Sequence, residues 1–159
     1  MRARCGVVFV GLVALGLGCG SSGGGGGPQP PDAGDLITCQ NDPRAMTYAP
    51  GLSVTSTSGT RKYVLLSADP APPARGTDTW SIKITDAAGT SQPGLSVGVL
   101  PFMPDHGHGS SVSASVTANA DGTYTVAPLY FFMAGVWRTT FWIGSNQSDV
   151  GEFFFCVPG

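Results

Sequence analysis

Charge is scarce in this sequence. Only 11% of its 159 residues are Asp, Glu, Lys or Arg; glutamate occurs once, as Glu152, and histidine twice, as His106 and His108. The lone glutamate leaves no H-E-x-x-H motif and no paired carboxylates for acid–base work, and no G-x-x-x-x-G-K-[ST] loop is present to cradle phosphate. Lys and Arg are scattered, which excludes the clustered positive face that nucleic acid requires. No stretch repeats apolar residues at the spacing of a helix. Cysteine is sparse too. Cys5 and Cys19 belong to the N-terminal segment, so the body has only Cys39 and Cys156.

One motif match is set aside on physical grounds. "GLSVG" at 94–98 fits G-x-S-x-G, but the serine-hydrolase elbow needs a strand-to-helix turn within a larger α/β sheet. Ser96 lies in an alternating run with no helical pattern after it. The chain is therefore expected not to be an enzyme.

What the N-terminus does have is an export pattern. Arg2 and Arg4 precede "VVFVGLVALGL", an apolar run of signal-peptide length that is short for a membrane span. The run ends at "LGLGC", close to a bacterial lipobox except that Gly16 stands where leucine is usual. The reading is a lipoprotein-type signal peptide over 1–18 with lipidation at Cys19; a plain cleaved signal with an incidental cysteine is the alternative. Residues 19–36, rich in Gly, Pro and Ser, cannot pack a core and read as a flexible tether with a reach of about 20–25 Å. The expected location is the cell envelope, lipid-anchored on the periplasmic side of a membrane through Cys19. Setting Arg2 and Arg4 aside leaves six basic and ten acidic residues.

Residues 37–159 are long enough for one domain with its own core. Its runs repeat with period two: "KYVLLSA" (62–68), "TWSIKIT" (79–85), "LSVGVL" (95–100), "SVSASVTA" (111–118), "GTYTVAPLYFF" (122–132), "VWRTTFWIG" (136–144) and "GEFFFCV" (151–157). Turn clusters separate them, and "TANADGTYTV" is a hairpin candidate bending at Asp121-Gly122. About seven short strands predict an all-β, immunoglobulin-like antiparallel β-sandwich. The expected core is Trp80, Ile82, Ile84, Leu95, Val97, Val99, Tyr124, Val126, Trp137 and Phe141. In an exported protein Cys39 and Cys156 are expected to form a disulfide across the domain's ends. Paired metal-binding thiolates are the competing reading, disfavoured because neither cysteine has a neighbour at C-x-x-C spacing.

Both histidines fall in "PFMPDHGHGS", residues 101–110. Pro101 and Pro104 cannot donate to a ladder, so the preceding strand should end near them and leave an exposed loop. Side chains two apart in an extended stretch point the same way, so His106 and His108 can converge. Imidazole is the commonest transition-metal ligand and a thioether selects copper, which makes Met103 a candidate ligand and Asp105 a candidate orienting partner for a histidine or a weak oxygen ligand. Met133, before the Ala134-Gly135 turn, joins them if the two loops gather at one end of the sandwich; packing a core gap is its alternative role.

"FMPDHGHGS" followed by "DGTYTVAPLYFFMAGVWRTTFWI" resembles the YtkA-like family of small exported bacterial domains, whose members pair an M-P-x-H-G-H-like segment with a later G-x-Y…F-x-M-x-G-x-W segment. The resemblance spans roughly residues 60 to 156. It implies a β-sandwich outside the cytoplasm and an association with copper or another heavy metal. Met103, His106, His108 and Met133 fall where the family's Met and His residues lie; Cys39 and Cys156 are not part of that pattern. Two functions remain open: a tethered copper-binding module that exchanges metal with a donor or acceptor protein, and a non-metal structural or partner-binding module of the cell envelope.

Overall fold

The computed structural model describes residues 39–159; the expected signal peptide, Cys19 and the expected 19–36 tether lie outside the described residues. After a short 3₁₀ turn at Cys39–Asn41, the chain forms β1 (Leu52–Thr55), β2 (Arg61–Asp69), β3 (Gly76–Asp86), β4 (Val97–Met103), β5 (His108–Gly109), β6 (Ser115–Ala118), β7 (Thr123–Phe131), β8 (Gly135–Ile143) and β9 (Ser148–Val157). The strands make two sheets, ordered β1-β2-β3-β7-β6 and β5-β4-β8-β9, with every pairing antiparallel. With β2, β3, β7 and β6 in the places of strands A, B, E and D, and β4, β8 and β9 in those of C, F and G, this is the immunoglobulin-like order. Among the described residues the strands number nine rather than about seven. β5 is too short to show alternation, β1 alternates over only four residues, and only Ser115–Ala118 of the 111–118 run pairs.

Alternation builds the core. Trp80 sits at its centre and meets Phe131, Phe141, Phe153 and Phe155 at ring-centroid distances of 5.5–6.5 Å. Trp80, Ile82, Ile84, Tyr124, Val126, Trp137 and Phe141 are buried as expected. Leu95, Val97 and Val99 are only partly buried, against the expectation of full burial. Leu95 precedes its strand, and β4 borders a two-residue edge strand, so these side chains pack on the core's open margin. At the far end, Tyr124 fixes the approach to β4: its hydroxyl donates to the Gln92 carbonyl (2.5 Å) and accepts from the Leu95 amide (3.0 Å).

The strand through Val99 does not stop at the first proline. β4 runs through Pro101, which lies opposite Thr139, and ends at Met103. The Pro101 carbonyl accepts from the Ser110 amide, so the missing N–H faces the short β5 side rather than the long ladder with β8. The disulfide between Cys39 and Cys156 is present, with Cα atoms 5.1 Å apart, and pins the start of the described chain to β9.

Candidate functional site

The histidine segment is a tight turn between two paired strands. The Met103 carbonyl accepts from the amides of His106 (3.3 Å) and Gly107 (2.9 Å). Gly107 takes a φ of 68°, which glycine adopts without strain, and the chain returns as β5 with His108 opposite Met103. His106 is therefore an exposed turn residue, whereas His108 is half-buried on an edge strand rather than on a free loop.

The two imidazoles lie 5.6 Å apart, centroid to centroid, at 70°. The His108 ring stacks on Phe132 at 5.3 Å and meets Trp137 edge-on at 6.3 Å. Its Nδ1 is 3.3 Å from the Gly109 carbonyl, which leaves Nε2 as the nitrogen away from the backbone.

Met103 is a core residue, 1% exposed, but one side of it reaches a surface cleft of about 230 Å³ lined also by Cys39, Asp42, Asp105, His106 and Gly135. Gly135 is needed there. A Cβ on it would stand 2.6 Å from the Met103 Cε, so the bare backbone gives the thioether methyl its place. Met133 packs on the margin of the core, and its carbonyl accepts the Trp137 indole N–H at 3.0 Å. Thus the structure brings Met103 and His106 to one cleft and His106 beside His108. Met133 lies next in sequence to Phe132, the ring that covers His108.

Asp105 does not reach for an imidazole. Both its oxygens accept from Arg44, at 2.9 and 2.7 Å, and Arg44 also grips Asp42 through Nε and Nη2. The Arg44 hydrogen bonds hold the Asp42 carboxyl down to about 2 and lower that of Asp105. Sequence reasoning missed Arg44, Asp42 and Phe132 as neighbours of the histidines. Arg44 and Asp105 are 61 residues apart, and no local pattern links them.

Among the described residues, no three His, Cys, Asp or Glu side chains converge as a metal-binding group. A family model described as YtkA-like matches residues 57–141. No curated protein and no solved structure matches the chain.

Proposed function

The chain belongs to the YtkA-like family, and on that premise we propose that its sandwich binds one soft transition-metal ion, copper above all, as an exported carrier held to a membrane through Cys19. The observation that carries the reading is the spacing of the two imidazoles. With a metal–nitrogen distance of about 2.0 Å, two rings sharing one ion have centroids roughly 5–6 Å apart, and His106 and His108 lie at 5.6 Å. Met103, beside His106 on the cleft, or Met133 would supply sulfur, which favours Cu(I) over zinc. A bound ion with so few protein ligands keeps positions open for exchange, which suits passage to or from a metal-donor or metal-acceptor protein better than catalysis or structural bracing. Arg44 neutralises Asp105 and Asp42, which removes the hard oxygen donors and leaves the soft and borderline ones.

The second reading is a non-metal module of the cell envelope that binds a partner or serves structure. It draws on the burial of Met103 and the packing of His108 on Phe132, each of which gives that side chain a structural role. Cu(I) competition against a chelator decides between them, using the wild type with its disulfide intact, His106→Ala/His108→Ala and Met133→Leu. The double variant should lose most of the affinity. Equal binding by wild type and double variant removes the site, and no binding by the wild type at micromolar copper leaves the partner-binding module.

A further inference from the structure

We propose that the Cys39–Cys156 bridge masks a metal ligand: once it is reduced, the Cys39 thiolate joins Met103 and His106 on their cleft and converts it into a three-donor soft site for Cu(I). This deepens the copper reading and rests on it for the identity of the metal.

The cleft itself selects these donors. Of the residues lining it, Asp42 and Asp105 are both engaged by Arg44, which leaves Cys39, Met103 and His106 as the lining residues with soft or borderline donors. Thiolate, thioether and imidazole together are a donor set suited to Cu(I), whereas a disulfide sulfur carries no charge to offer. The two cysteines are not equivalent. Cys39 lines the cleft; Cys156 sits on β9 opposite Val136 and does not. A second cleft of about 250 Å³, lined by Cys39, Gln40, Gly135 and Val157, also borders Cys39 and gives a small reductant an approach. Both cysteines fall outside residues 57–141, so the bridge lies beyond the part of the chain that carries the family pattern.

The segment bearing Cys39 has other ties that hold it in place when the bridge opens. The Met46 amide donates to the Phe154 carbonyl at 2.8 Å, and Arg44 clamps Asp105 in the histidine turn. The reductant is a dithiol. It supplies two electrons and two protons, the Cys39–Cys156 S–S bond breaks to give two thiols, and the reductant closes to its own disulfide. Cys39 then releases its proton to solvent as the metal binds.

The test is Cu(I) competition against a chelator on the full-length chain, with near-UV circular dichroism to report the folded core. Cys156→Ser leaves the Cys39 thiol on the cleft and needs no reductant, whereas Cys39→Ser loses the same bridge and leaves the thiol on β9. Cys156→Ser should bind Cu(I) on the order of a hundredfold more tightly than oxidised wild type, and Cys39→Ser should not. Adding Met103→Leu or His106→Ala to Cys156→Ser should abolish most of that gain. Equal gains in the two single variants would overturn the proposal, because any thiol would then suffice. No gain in Cys156→Ser overturns it, as does loss of the native near-UV spectrum in both single variants. If oxidised wild type binds no Cu(I) while Cys156→Ser does, the two-histidine carrier falls and the masked ligand stands. The reverse result leaves the carrier and removes the masked ligand.

Discussion

Asp78, on β3, has its side chain fully buried, and neither carboxylate oxygen has a hydrogen-bond partner; the indole N–H of nearby Trp80 is also unpaired. Burial pushes the carboxyl up to about 7 and Asp69 adds to the rise, while the nearby Trp80 indole N–H and Ala74 amide, short of hydrogen-bond geometry, pull the other way. The raised value means that the folded chain keeps this proton where the unfolded chain, titrating near 3.8, has lost it. Stability should therefore fall as pH rises from about 4 to about 7, by up to about 4 kcal/mol, and level off above that range. Asp78→Asn should flatten the slope, measured by urea denaturation at a series of pH values; an unchanged slope would mean that another group carries it. Asp149 is the opposite case. Burial opposes its ionisation, but the nearby Ser56 hydroxyl and the hydrogen bonds from Ser58 and Arg61 outweigh that and hold it down to about 2. Neither environment was legible in the sequence. Asp78 stands in phase with Trp80, Ile82 and Ile84 on the buried face of β3, so alternation gives its side, but neither the lack of a partner for its carboxylate nor the register shift beside it in the β3–β7 pairing can be read from the period.

At the scale of the strand, glycine sets how closely the sheets approach. Gly151 on β9 faces the Tyr63 ring across the core, and a Cβ there would fall 2.3 Å from Tyr63 Cδ2. Tyr63 is fully buried, and its hydroxyl donates to the Asp149 carbonyl, so the ring has little freedom to retreat. Gly151→Ala should cost about 1–3 kcal/mol by overpacking, read as a lower denaturation midpoint at unchanged slope. A neutral result would show that the ring can tilt without losing its hydrogen bond. The longer strands were legible because β2, β3, β7, β8 and β9 each present a buried face at every second residue for several residues. β5 was not, since two residues have no period, and this changes the candidate site. His108 belongs to a strand edge packed on Phe132, while His106, two residues earlier, belongs to the turn.

Over the whole molecule, the disulfide closes a separation of 117 residues and joins the first described turn to the last strand. Its reduction should cost up to about 4–5 kcal/mol in the chain-entropy model, and neither cysteine should alkylate in the folded, unreduced protein. Intact mass with and without reductant checks the second point, and chemical denaturation of both forms the first. The proposed lipid anchor on Cys19, outside the described residues, makes its own prediction: Cys19→Ser should move the protein from the membrane fraction to the soluble one, and an unchanged distribution would overturn the anchor. The sequence by itself determined the all-β class, most of the core and the candidate cysteine pair, because alternation, turn chemistry and the small number of cysteines are local or countable properties. The residues around His106 and His108 were decided only by the tertiary structure. Arg44, Cys39, Phe132 and Gly135 reach them from segments far apart in the chain, and sandwich topology brings such segments to one end without leaving a mark in any one of them.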